Sequence, residues 1–263
     1  MKILVLGDTV GKPGRKACSE LIPKVVSREQ IDFVVVNGEN LAGGSGITKE
    51  TVDEIFRAGA DVITTGDHVF KKKEANELVE KDSRIIRPLN YPQGTPGKGS
   101  TVVTAKNGAR IGVVNLLGRV FLKPIDCPFR TVEKELEALG RQAHIILVDM
   151  HAEATSEKVA MGWFLDGRVS AVFGTHTHVQ TSDETILPYG TAYISELGMC
   201  GPYKSVIGRR VDQVLKQFLT QIPTHLDVAE EDARISGAVI EVDPSNGKAL
   251  SIKRIHEKLN GKS

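Results

Sequence analysis

The chain has few cysteines, almost no net charge and no long apolar run, and each shortage removes a class of protein. Its three cysteines, Cys18, Cys127 and Cys200, stand far apart with no CxxC pair. That spacing excludes a disulfide framework and a zinc ribbon, and it fits a reducing compartment, so the expected setting is cytoplasmic. Lysine and arginine number 34 against 33 aspartates and glutamates, a net of +1. No global field then recruits nucleic acid or an acidic membrane, so neither is expected as a partner, and an anionic substrate must be held locally. No stretch approaches the ~18 apolar residues of a membrane span. The first apolar run ends at Gly7-Asp8, too early for the core of a signal peptide. There is no internal repeat and no low-complexity tract. The 263 residues suffice for one large α/β domain or two small ones, and nothing forces a split.

What the chain does have is a series of short apolar runs rich in strand formers, at 3–6, 33–36, 62–64, 145–148 and 169–173. Helical spacing lies between them, at 15–28, 48–58, 131–141 and 156–165, with Thr48 placed as an N-cap and Gly59 as a stop. Alternating Lys and Glu over 71–81 predict a solvated helix, 84–89 reads as another strand, and the Pro- and Gly-rich stretch 90–99 reads as a loop. Hairpins are expected around Asn107-Gly108, Pro188-Tyr189-Gly190 and 243–247, and 211–220 is a last amphipathic helix. Parallel β-α units mixed with hairpins predict an α/β fold of two mixed sheets packed face to face, with helices outside.

Polar residues recur just past the ends of these strands. Asp8 follows the first run, Glu39 and Asn40 the second, Asp67 and His68 the third, His151 the fourth, and the pair His176 and His178 the fifth. Ligands of open α/β sheets collect outside the carboxyl ends of strands, so five distant segments are expected to converge on one crevice. If the backbone stayed extended after Gly174, His176 and His178 would point the same way. Carboxylates, imidazoles and an amide without cysteine suit iron or manganese, and zinc also fits; a calcium site would lack the histidines. Seven candidate ligands exceed what one ion needs. Two ions sharing a carboxylate, about 3.5–4 Å apart as in two-metal hydrolases, would use them and would imply hydrolysis of a phosphate ester.

Taken singly, several of these residues have plainer explanations. Asp8 could cap the following helix, and Glu39 and Asn40 could form a turn beside Gly38. His144, His225 and His256 lack the strand-end context and read as structural, while Gly43-Gly44-Ser45-Gly46 could make an anion-binding nest but reads more simply as a flexible turn. A P-loop is excluded, because Gly7 to Pro13 has one residue too few between its glycines and Pro where Ser or Thr should stand.

The ordered set Gly7-Asp8, Asn37-Gly38-Glu39-Asn40, Gly66-Asp67-His68, His151 and Gly174-Thr175-His176-Thr177-His178 resembles the calcineurin-like metallophosphoesterases, specifically their YmdB-like branch. Asn115 to Arg119 and Gly198 to Pro202 are similar to that branch as well, so the resemblance spans nearly the whole chain. It implies a single metallophosphoesterase domain over 1–263, a four-layer sandwich, and two metal ions, iron first, with manganese or zinc also fitting. Asp8, Glu39, Asn40 and His178 would hold one ion, and Glu39, Asp67, His151 and His176 the other, with His68 facing the substrate. The implied activity is a phosphodiesterase acting on 2′,3′-cyclic nucleotides by hydroxide attack in line, in a protein that forms a homo-oligomer. The alternative is a regulatory protein that binds a nucleotide or signal and hydrolyses it slowly. Two departures stand out. Val10 occupies the place where the broader superfamily has a histidine, with Asn40 as the substitute ligand, and Asp67 stands where the branch usually has asparagine.

Overall fold

The computed structural model describes residues 1–259 and sorts their strands into two sheets. In chain order the strands are β1 (Lys2–Leu6), β2 (Asp8–Thr9), β3 (Phe33–Asn37), β4 (Val62–Thr64), β5 (Ser100–Thr104), β6 (Arg110–Leu117), β7 (Ile145–His151), β8 (Ala171–Thr175), β9 (Thr185–Ile186), β10 (Ala192–Ile194), β11 (Met199–Pro202), β12 (Ala233–Val242) and β13 (Ala249–Lys258). The helices are α1 (Gly11–Glu29), α2 (Lys49–Ala58), α3 (Ala75–Lys81), α4 (Pro128–Leu139), α5 (Thr155–Leu165) and α6 (Val211–Thr220). One sheet runs β2-β11-β12-β1-β3-β4, with β13 on the far side of β12; the other runs β5-β6-β7-β8-β10-β9. Both are mixed: β1, β3 and β4 are mutually parallel, as are β6, β7, β8 and β10, and the hairpin strands are antiparallel.

Strand periodicity then builds three apolar layers from few residues. Ile3, Val5, Phe33, Val35, Ile145, Leu147 and Phe173 fill the space between the sheets. Their alternates Leu4, Leu6, Val34 and Val36 pack under α1 and α2, while Ile146, Val148 and Val172 pack against the side of α4 and α5. The central strands are therefore apolar on both faces, which is why they read as continuous runs. The result is the expected four-layer sandwich.

Thr48 caps α2 and bonds reciprocally with Thr51, and Gly59 ends the helix with φ 113°. The three hairpins form as expected. The solvated helix over 71–81 begins only at Ala75, after a 3₁₀ turn at Val69–Lys71. The strand expected over 84–89 is absent, leaving a single bridge between Ile63 and Ile85. Buried Arg87 instead organises the loop that follows, donating to the carbonyl oxygens of Pro88 at 2.8 Å and of Thr95, Pro96 and Gly97 at 3.2 Å. The apolar face of α6 is not packed away: Val211, Leu215, Phe218 and Leu219 are exposed, with Ile222 just beyond, and only Val214 is buried. Among the described residues no helix is long and apolar enough to cross a membrane.

Candidate metal centre

The carboxyl ends of β1, β3 and β4 in one sheet meet those of β7 and β8 in the other, and the polar residues gather there. Asp8 arrives through a close approach: a Cβ on Gly7 would lie 1.8 Å from the Gly198 carbonyl oxygen, so only glycine lets β1 pass into β2 beside β11. Glu39 and Asn40 sit in the turn after β3, Asp67 and His68 after β4, and His151 is the last residue of β7. His176 and His178 follow β8, but not on an extended backbone. Their φ values are 100° and 65°, so both occupy the left-handed region that non-glycine residues rarely adopt. The pair converges because the chain coils, not because it alternates.

Glu39, Asp67, His151 and His176 each present one donor atom within 4.8 Å of all the others. Partners on the outer side of each ring fix its tautomer. The Thr175 hydroxyl donates to Asp149 Oδ1 at 2.6 Å, so it accepts from His151 Nδ1 at 2.9 Å, and Nε2 is the nitrogen turned to the cluster. His176 Nε2 meets the Glu153 carboxylate at 3.1 Å, which leaves Nδ1 as the lone pair. These two nitrogens face each other at 3.0 Å, with Glu39 Oε2 3.2 Å from His151 Nε2. With His151 protonated, Nε2 donates across that gap to His176 Nδ1, and a metal ion would take the place of that proton.

Around Asp8 the donors are looser. Asp8 Oδ1 lies 3.8 Å from both His178 Nε2 and His151 Nδ1, and His178 Nδ1 donates to the Ile207 carbonyl at 2.9 Å, leaving Nε2 as an acceptor. Asn40 turns its Nδ2 toward Glu39 Oε1 (2.9 Å) and His178 Nε2 (3.4 Å), while its Oδ1 accepts from His68 Nδ1 at 2.8 Å. Every residue singled out from the sequence is thus at this one edge.

The donor set fits metal ions. Asp8 Oδ1 and Asp67 Oδ1 are buried without any hydrogen-bond partner, a costly arrangement unless a cation meets them. A Cβ on Gly66 would fall 2.2 Å from Glu39 Oε2 and 2.3 Å from His151 Nε2, so glycine is what lets the backbone lie against the donors. Burial pushes Asp8 up to about 6 against the pull of His178 and His151. Burial also works to raise Glu39, but the charge and hydrogen bonds of His151, with His68, hold it well below the usual carboxylate range. Burial works to lower His151, yet Glu39, Asp67 and Asp8 drive it well above the usual imidazole value. His176 is pushed down to about 4, by burial and then by His151. The carboxylates hold positive charge at the centre of the cluster.

A family model described as YmdB-like protein matches residues 4–255. The chain belongs to the YmdB-like family. It is 46% identical over 255 residues, 97% of this chain and 96% of the relative, to the 2′,3′-cyclic-nucleotide 2′-phosphodiesterase of Bacillus subtilis (strain 168). Among solved structures, a hypothetical protein from Thermus thermophilus matches with a TM-score of 0.92 at 40% identity, over 98% of this chain and 99% of that one. A novel phosphatase from Mycoplasma pneumoniae matches with a TM-score of 0.92 at 34% identity, over 98% and 93%.

This YmdB-like chain surrounds its donors with supports that strand-end reading did not find. Buried Asp149 accepts from Thr64 Oγ1 at 2.5 Å, Thr175 Oγ1 at 2.6 Å and Asn37 Nδ2 at 3.1 Å, tying β3, β4, β7 and β8 together behind His151. A carboxylate inside the apolar run of β7 was the available signal. Glu196 Oε2 accepts from Thr177 N at 3.0 Å, from Thr177 Oγ1 at 2.7 Å and from Lys158 Nζ at 2.7 Å, and both charged side chains are 2% exposed. This buried ion pair grips the residue between the two coiled histidines, and nothing in its spacing announced it. His176 N donates to Asp8 Oδ2 at 2.9 Å and completes the hold. The loop at Gly43 to Gly46 is the turn expected: Ser45 N and Gly46 N are spent on the carbonyls of Ala42 and Glu39, so they are closed to an anion. Of the three histidines read as structural, His225 is exposed and His256 bonds Ser236 and Arg234.

Proposed function

We propose that this protein is a metal-dependent phosphodiesterase that opens the ring of 2′,3′-cyclic nucleotides, a small-molecule reaction using two transition-metal ions. The observation that carries the reading is the pair of imidazole nitrogens facing each other at 3.0 Å beside two partnerless buried carboxylate oxygens. The Bacillus relative's named activity supplies the substrate class. Glu39, Asp67, His151 and His176 would hold one ion, and Asp8, Glu39, Asn40 and His178 the other, Glu39 directing Oε2 toward His151 and Oε1 toward Asn40. Oxygen and nitrogen donors without sulfur favour iron, with manganese or zinc as substitutes. Bound there, the ions would supply Lewis acidity toward the phosphoryl group.

The chain's own residues do the rest. Asn40 and Glu39 anchor His68 on its Nδ1 side, and its Nε2 lies 3.7 Å from Asp67 Oδ2 at the partly exposed rim. The hydrogen bond to Glu39 raises the His68 pKa. Opening the cyclic diester adds water across one P–O bond and leaves a ribose alkoxide, and His68 is placed to give that oxygen its proton. His68→Ala should therefore keep its metal content and lose about 10²–10⁴-fold in turnover of 2′,3′-cyclic AMP. A variant emptied of metal would make His68 a ligand and overturn this division of roles. We further read the protein as a homo-oligomer, supported by the exposed apolar row of α6. Light scattering that gives a monomer at every concentration overturns that reading.

A further inference from the structure

Beside His178 the surface opens into a cavity of about 370 Å³ whose wall includes Val179, Gln180, Met199, Tyr203 and Ile207. The cavity shares His178 with the donor cluster, and the same histidine is tied to the cavity wall through the Ile207 carbonyl. A phosphodiester seated among the donors therefore has this space next to it. Its size falls in the range of small-molecule sites, and its side walls are mostly apolar, as suits a flat heterocycle.

One polar group on the wall has a fixed orientation. Gln180 Nε2 donates to three backbone carbonyls, those of Leu197 at 3.2 Å, Gly237 at 2.9 Å and Ile255 at 3.1 Å. Three acceptors on one side demand the NH₂ there, so the amide cannot flip, and Oε1 takes no hydrogen bond from the described residues. The other polar wall groups are spent. The Tyr203 hydroxyl bonds Met199 O and Ser236 Oγ, and Ser205 Oγ donates to Pro202 O while accepting from Gly208 N. His256 uses one ring nitrogen on Ser236 and the other on Arg234. What remains is an apolar slot with one immobile acceptor.

We infer that this cavity is the nucleobase subsite of the enzyme, and that Gln180 Oε1 accepts a hydrogen bond from an exocyclic amine, favouring adenine over a base that lacks one. The inference rests on the phosphodiesterase reading above and adds which part of the substrate is read, and by what. Three cyclic phosphates separate the contributions: those of adenosine, of purine riboside, which differs only by the missing amine, and of methyl riboside, which has no base. With metal-loaded protein, kcat/KM should fall about 3- to 10-fold from the first to the second, the worth of one neutral hydrogen bond, and further for the third. Val179 is 65% exposed at the cavity wall, so Val179→Trp should fold normally and fill the slot. It should erase the preference for a base, bringing the adenosine and methyl riboside substrates to nearly equal kcat/KM. Adenosine binding by calorimetry should weaken at least about tenfold in the same variant. Equal kcat/KM for all three substrates, or a Val179→Trp defect as large on the base-free substrate as on the adenosine one, would overturn the subsite. Calorimetric binding of adenosine that Val179→Trp abolishes, with none of the three substrates hydrolysed, would support the subsite and overturn the phosphodiesterase reading instead.

Discussion

On one side of Glu39, His151 and His176 present ring nitrogens 3.0 Å apart, each ring tied from behind by Thr175 or Glu153. On the other side, Asp8 and His178 stand 3.8 Å apart and Asn40 directs its amide nitrogen, not its oxygen, toward them. The first half can accept a cation without rearranging. The second must turn the Asn40 amide, giving up bonds to His68 and Glu39 that are worth about 0.5–1.5 kcal/mol each. Preorganisation differs between halves that share a carboxylate, so the two ions we propose should bind with different affinities, the half at His151 filling first.

The buried Lys158–Glu196 pair spans the comparison, because Thr177 lies between a histidine of each half. Lys158→Ala leaves a buried carboxylate uncompensated and should cost about 3–5 kcal/mol of stability, read by denaturant unfolding, while weakening both halves together. Asp149→Asn should discriminate between them. The Asn amide nitrogen would give a hydrogen bond to Thr175 Oγ1 where the carboxylate now takes one, so the hydroxyl would donate to His151 Nδ1 and the ring would move its proton to Nε2, toward the donors. The tight half should lose about 10–100-fold in metal affinity by isothermal titration, with the weak half unchanged. Glu153→Gln is the mildest change: its carboxylate is about half exposed, so loss of the charge behind His176 should weaken the tight half by only about threefold.

The strand-end residues were legible because each apolar run is buried on both faces and must stop where polar side chains begin; Asp8, Glu39, Asp67 and His151 follow from that alone. The coil at His176 and His178 was not, since it depends on bonds to Glu196 and Asp8 from distant segments. The strand expected at 84–89 failed for a related reason: Arg87 is buried to satisfy loop carbonyls, a role that alternation cannot reveal. The short strands β2 and β11 carry too few residues for a period to show, yet they set the position of Asp8.

The most direct measurement is turnover of 2′,3′-cyclic AMP against metal equivalents added to protein stripped by chelator. A two-ion enzyme with unequal halves should remain nearly inactive up to one equivalent per chain and gain its activity between one and two. Full activity at one equivalent, with no further rise at two, would contradict it.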